Sequence, residues 1–349
     1  MTEIKLGKHR IGTGLPPFII AEMSGNHAQS LDRALAIVDA AAAAGCQGLK
    51  IQTSTPDMLT LNSRAADFIV RGANQDWEGQ SLYDLYTTNH TPFEWHTAIF
   101  ERAAAHGMVA FSSPFAPEAV DFLETVGCPA YKIASFENNW PALIQRAART
   151  GKPIIISTGM ADLADLERMA ALVRAEGNEQ LILLKCTSTY PATPENSNLR
   201  TIPHLRELLS CHVGLSDHTL GSGVAVAATA LGAVAIEKHL TLRRADGGPD
   251  SSFSLEPAEM AQLVRECQQA YGALGSIFYG PTAAERKSLA FRRSIYVVED
   301  VGAGEVLTAA NVRVIRPGHG LPPHFLPQVL GRPVRAAVAR GTALTWELL

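Results

Sequence analysis

Glu237-Lys238-His239 follows the apolar run AVAI, and a few residues later the chain enters Gly-Gly-Pro-Asp-Ser-Ser. A strand that only needed to stop would do so with one Gly or Asn. This one ends by delivering a carboxylate, an ammonium and an imidazole. Side chains alternate across a strand, so Glu237 and His239 share one face and Lys238 takes the other. The same polarity closes other β-branched runs: Glu22 in FIIAEM, Lys50 and Gln52 in GLKIQ, Ser112 and Ser113 in VAFSS, Lys132 and Ser135 in AYKIAS. Ser157 ends PIIIST, Lys185 lies in LILLKCT, and Ser216 and His218 end VGLSDH. So many ionisable groups at strand ends require partners or a ligand, because an unpaired buried charge is expensive.

The residue types define a short list of chemistries. Lys50 and Lys132 with nearby serines suit an anion cradle for phosphate or carboxylate. His218 and His239 suit one divalent metal. With no cysteine of suitable spacing, Mn²⁺ or Mg²⁺ completed by water is expected before Zn²⁺. Glu22 and Glu237 are candidate general acid or base groups. A strand-end lysine is also the nucleophile of Schiff-base aldolases, so that chemistry competes. No Walker-type glycine loop points to a nucleotide.

These residues need a scaffold that brings eight strand ends together. Between the apolar runs lie helical stretches such as SLDRALAIVDAAAAAG, PEAVDFLETVG, PALIQRAARTG and DLADLERMAALVRAEG. Several open at Ser, Asp or Pro and close at Gly, as capped helices do. Eight strand–helix units in roughly 275 residues predict an α/β fold, a (β/α)8 TIM barrel, whose C-terminal rim is where chemistry is done. A doubly wound open sheet is the alternative, but no Gly-x-Gly-x-x-Gly turn follows the first strand. More than fifty residues separate GLKIQ from VAFSS, rich in Asn, Gln, Trp and Tyr, and read as a substrate lid or specificity loop. The last part of that stretch, TPFEWHTAIFERAAAHG, reads as the helix before the third strand. The Val-rich C-terminal stretch, broken by Gly and Pro, predicts a small β-rich domain. The expected boundaries are 1–276 for the barrel, 277–290 for a linker and 291–349 for the small domain.

Composition narrows the setting. Of 349 residues, 46% are hydrophobic and 18% charged, which is ordinary globular composition. The net charge of −4 argues against nucleic acid or an anionic membrane as partner. Five scattered cysteines without a C-x-x-C pair suit free thiols in a reducing compartment. No apolar run reaches signal-peptide or membrane-spanning length, so a cytoplasmic protein is expected.

The stretches IIAEMSGNH, LKIQT, FSSPF, AYKIASFE, IISTGM, KCTSTYP, GLSDHTLGSG, IEKHLT, GPDSSFSLEP and VIRPGHGL together resemble the sialic acid synthase family of phosphoenolpyruvate-dependent nonulosonate synthases. They span nearly the whole chain, including a C-terminal part similar to the family's antifreeze-like (SAF) domain. TPDMLTLNS, SLYDLY and TPFEWH resemble the family's pseudaminic acid branch. N-acetylneuraminate synthases tend instead to carry Thr where Ser113 stands, Gly-Ser-Gly-Glu in place of Ala134-Ser135-Phe136-Glu137, and Asn at Ser188. The substrate expected is therefore a bis-acetamido 6-deoxy sugar, with N-acetylneuraminate or legionaminate synthesis as the alternative.

Carried over by position, the resemblance implies that Lys50, Ser113, Lys132, Ser135, Ser157 and Ser216 hold phosphoenolpyruvate, with Ser188 extending that contact. His218 and His239 would bind the metal, Mn²⁺ first, with Mg²⁺ or Co²⁺ as alternatives. Gln52, Tyr190 and Asp250 would face the N-acetylated amino sugar. Arg316 resembles an arginine inserted from a partner's C-terminal domain, which implies a domain-swapped homodimer. The reaction implied is attack of C3 of phosphoenolpyruvate on an aldehyde, water addition at C2, and loss of phosphate by C–O cleavage. A non-catalytic carbohydrate-binding protein is the reading from another class.

Overall fold

A computed structural model describes residues 1–72 and 77–349; residues 73–76, part of the long stretch read as a lid, lie outside the described residues. The chain divides into two compact units, Met1–Gly275 and Ser276–Leu349.

The first unit opens with an antiparallel hairpin, β1 (Ile4–Leu6) and β2 (His9–Ile11). Eight parallel strands follow: β3 (Phe18–Glu22), β4 (Gly48–Thr53), β5 (Val109–Pro114), β6 (Tyr131–Ile133), β7 (Ile154–Ser157), β8 (Leu181–Cys186), β9 (His212–Asp217) and β10 (Ala235–His239). Each pairs with its sequence neighbour, and β10 closes on β3, so the sheet is a closed barrel and not an open one. β-branched residues fill the strands because both faces are covered, by the barrel interior and by the outer helices.

Local chemistry explains the helices. Ser30 caps Leu31–Ala43 through its side chain, and Asp162 with Asp165 forms a capping box for Leu163–Ala175. Pro117, Pro141 and Pro257 sit in the first turns of their helices, where no N–H is needed. The long β4–β5 connection holds short helices at Pro56–Leu59 and Leu82–Asn89, then His96–Ala105, which runs back to β5. Gly214 in β9 is dictated by packing. A Cβ there would run into the carbonyl of Ala235 and lie 2.8 Å from Leu184.

The second unit has its own core of Ile295, Val297, Leu307, Val312, Val334 and Leu344. Its antiparallel pair, β11 (Ser294–Val297) and β12 (Val312–Ile315), is extended by isolated bridges such as Val301 to Val338. No helix among the described residues is long and apolar enough to cross a membrane.

Candidate active site

Strand register decides which side chains meet. Glu22 pairs with Lys50 and with His239, while Glu237 and Cys186 both pair with Ser216, so these residues form two neighbouring levels at the C-terminal ends of their strands. Alternation then sends Glu22, Lys50, Glu237 and His239 inward. They line one cavity of about 300 Å³, together with Gln52, Lys132, Ser135, Ser157, Tyr190, Ser216, His218 and Asp250. Ser113 and Ser188 stand just behind. Ser113 accepts from Lys50 at 3.2 Å, and Ser188 lies 3.6 Å from Cys186 Sγ. Gly159 makes room between the hydroxyls, since a Cβ there would collide with Ser188 Oγ and lie 2.6 Å from Ser135 Oγ.

The charges form a chain. Lys50 Nζ contacts Glu22 Oε2 at 2.8 Å and Glu237 Oε1 at 4.0 Å. Lys132 Nζ donates to Ser157 Oγ at 2.7 Å and lies 3.9 Å from Glu237 Oε1, which also accepts from Ser216 at 3.1 Å. Burial works against the charge on Glu237, but Lys132, Lys50 and His218 outweigh it and hold the carboxyl below its usual range. Glu22 goes the other way. Burial, reinforced by the charge on Glu237, raises it despite Lys50. Burial would lower both lysines; Glu22 and Glu237 carry Lys50 above its usual range, whereas Lys132, with Lys50 adding repulsion, is lowered.

A second group adjoins this chain of charges through Glu22. Gln52 donates to Glu22 Oε1 and to Ser24 Oγ, each at 3.1 Å, and Ser24 donates to Asp250. The rings of His218 and His239 are 5.3 Å apart, with Tyr190 4.5 Å from His218 and Phe253 5.0 Å from His239. His218 Nδ1 meets the Thr187 carbonyl at 3.1 Å. His239 Nδ1 is buried with no hydrogen-bond partner among the described residues, 3.7 Å from Asp250 Oδ2. Burial and the surrounding cations keep the His239 imidazole far below its usual range, hence neutral.

Some strand-end residues do not enter the cavity. Lys238 turns outward to Asp217 at 2.7 Å. Lys185 bonds the Cys186 carbonyl and the Thr187 hydroxyl, and Ser112 bonds Thr53 and the Ile51 carbonyl. Arg316 stands exposed just after β12 in the second unit. Cys186 and Glu137 are among the cavity residues that escaped the reading of the sequence. Cys186 takes the inward position next to Lys185, and alternation along LILLKC was the signal that would have found it. Burial would raise its thiol, but His218 and the hydroxyls of Ser135 and Ser188 bring it down to about 6. Glu137 lines the cavity from the loop after β6, with one carboxylate oxygen buried and unpartnered among the described residues. Nothing in its spacing marked it. The β4–β5 connection supplies an apolar wall through Leu59, Val70, Trp77, Leu82, Leu85 and Tyr86.

Comparison with known proteins agrees with this geometry. Residues 37–279 match the NeuB family and residues 292–349 the SAF domain. The chain is 44% identical over 327 residues to the pseudaminic acid synthase of Campylobacter jejuni, covering 94% of this chain and 95% of that protein. It is 40% identical over 332 residues to the pseudaminic acid synthase of Helicobacter pylori, covering 95% and 97%. The crystal structure of N-acetylneuraminic acid synthetase from Leptospira borgpetersenii, in complex with citrate, superimposes with a TM-score of 0.73 at 30% identity, covering 82% of this chain and 95% of that one. The chain belongs to the NeuB family.

Proposed function

We propose that this chain is a pseudaminic acid synthase, condensing phosphoenolpyruvate with the open-chain aldehyde of a bis-acetamido 6-deoxy sugar and releasing phosphate by C–O cleavage. The observation that carries it is the convergence of two buried ammonium groups, Lys50 and Lys132, and two imidazoles, His218 and His239, on one cavity. The first pair suits a compact dianion, and the second an oxygen of the partner substrate. The likeness to pseudaminic acid synthases over nearly the whole chain supports the choice of sugar.

Lys50 and Lys132, with Ser113, Ser135, Ser157, Ser188 and Ser216, bind the phosphate and carboxylate. Glu237, held ionised between the lysines, faces the carbon that becomes positive and steers water onto it. Glu22, whose carboxyl is raised, positions and protonates the sugar oxygen. Gln52, Tyr190 and Asp250 orient the sugar.

The donor set fits a divalent ion. His218 commits Nδ1 to a backbone carbonyl, which leaves Nε2 for the ion, and His239 has a buried, unengaged Nδ1. Among the described residues no group of three or more His, Cys, Asp or Glu has metal-holding geometry, so water or substrate must complete the shell. Such an ion, Mn²⁺ first with Mg²⁺ or Co²⁺ as alternatives, supplies Lewis-acid polarisation of the aldehyde.

The reading extends to a domain-swapped homodimer in which the partner's second unit brings Arg316 to the cavity. Loops at the cavity end of the barrel carry exposed Phe136, Met160 and Leu220, at 60%, 66% and 64% exposure, beside Trp140 and Leu163. Exposed apolar residues on several loops at one end of the barrel suit a covering partner. Five buried free cysteines suit a reducing cytoplasm.

The test is phosphate release from phosphoenolpyruvate against a panel of amino sugars, with Mn²⁺ or with chelator. Release with the bis-acetamido sugar, abolished by chelator, is expected; no release with any amino sugar in Mn²⁺ removes the reading. A Schiff-base aldolase would be trapped on Lys50 or Lys132 by borohydride, and no trapping is expected.

A further inference from the structure

Behind the cavity lies an ionic node that the reaction itself does not use. Lys238 and Asp217 are register partners on β10 and β9, at 0% and 3% exposure, and their side chains meet at 2.7 Å outside the barrel interior. Asp217 Oδ1 accepts from both the backbone N–H of Thr219, at 2.9 Å, and its hydroxyl, at 2.8 Å. Lys238 also donates to the Thr219 carbonyl. Apart from each other, both side chains therefore bond the same residue, Thr219.

The sequence positions give the node its meaning. Asp217 and Thr219 flank His218, and Lys238 immediately precedes His239. One buried cluster thus pins the residues on both sides of the first imidazole and ties them to the strand that presents the second. On its other flank the His218 carbonyl accepts from Ala192 N at 3.0 Å, so the loop is held at its backbone as well. Stability alone does not account for such a pair. An apolar pair of similar volume commonly matches or exceeds a buried ion pair in stability, while fixing no direction.

We propose that the Lys238–Asp217–Thr219 node is the positioning device for the two metal-directed histidines, setting the separation and aim of His218 and His239. The proposal rests on the metal reading above. Asp217 and Lys238 act through the histidines and touch no substrate; each is a positioning residue.

The test measures Mn²⁺ affinity of the full-length protein, by the electron paramagnetic resonance signal of free Mn²⁺, alongside thermal melting. The double variant Asp217→Leu/Lys238→Met removes both charges together, so no buried ion is orphaned. It is expected to melt close to the unsubstituted protein while losing Mn²⁺ affinity at least about tenfold, the scale of lost outer-shell support. Unchanged affinity in a normally melting double variant overturns the proposal. Thr219→Val, nearly isosteric, guards against failure of the double variant to fold. It is expected to weaken Mn²⁺ several-fold, and unchanged binding there also overturns the proposal. Should the unsubstituted protein bind no Mn²⁺, the metal reading falls and takes this one with it. Binding that is identical in all three proteins sinks the positioning role alone.

Discussion

Glu22 and Glu237 flank one ammonium, that of Lys50, at 2.8 and 4.0 Å, and their carboxyl groups are driven in opposite directions, Glu22 up and Glu237 down. Two carboxyls separated in this way divide the work of acid and base. Glu22→Gln is expected to lower kcat with little change in KM for phosphoenolpyruvate. Glu237→Gln is expected to cost about 10²–10³ in kcat/KM, the scale of one preorganised electrostatic contact. Steady-state phosphate release decides it, and equal losses in both parameters for both variants would contradict the division.

Lys132 has burial and Lys50 acting against its charge and Glu237 supporting it, so an anionic ligand gains most by arriving there. Lys132→Met should raise KM for phosphoenolpyruvate more than KM for the sugar, with a lower melting temperature, because buried Glu237 loses one of its two ammonium partners. A selective rise in the sugar KM instead would place the phosphate elsewhere.

Arg316 is exposed on the second unit, and in a swapped dimer it completes the neighbouring barrel. Arg316→Ala and His239→Asn should each be nearly inactive. Mixed after subunit exchange, they should recover activity towards about a quarter of the unsubstituted level, since half the dimers then hold one intact site. No recovery on verified exchange would mean that Arg316 serves its own barrel or none.

Burial pushes the Glu137 carboxyl up to about 7 from an ordinary 4.5. Between those values the folded protein keeps a proton that the unfolded chain has released, so the group's contribution favours folding at low pH and fades as pH rises through about 7. Glu137→Gln removes the penalty at high pH, on the order of 3 kcal/mol as an upper bound. Denaturant unfolding of both proteins at acid and alkaline pH checks this. The variant should gain relative stability only at the alkaline end, and parallel profiles would refute the shift.

The barrel was legible because its cues are local. Apolar runs of strand length, Pro at helix starts and Gly after helix ends recur at intervals that suit eight strand–helix units around a parallel sheet. Much of the cavity was legible for the same reason. Alternation sent Glu237 and His239 one way and Lys238 the other, as the contact between Lys238 and Asp217 shows. Lys185 stood out by its polarity, while its inward neighbour Cys186 looked like core. The β4–β5 stretch was legible as a lid or specificity loop; that Val70 and Leu85 would form its wall, or that Glu137 would join the cavity, was not. Their places depend on how loops settle over the barrel mouth, which no short-range pattern encodes.

The groups suited to an anion stand on or directly after barrel strands, whereas most of the apolar wall comes from the single connection between β4 and β5. On the proposed reading, a change confined to that connection would reshape the apolar wall beside the sugar and leave the strand-borne lysines and serines in place, so sugar preference could shift while the anion end stays the same.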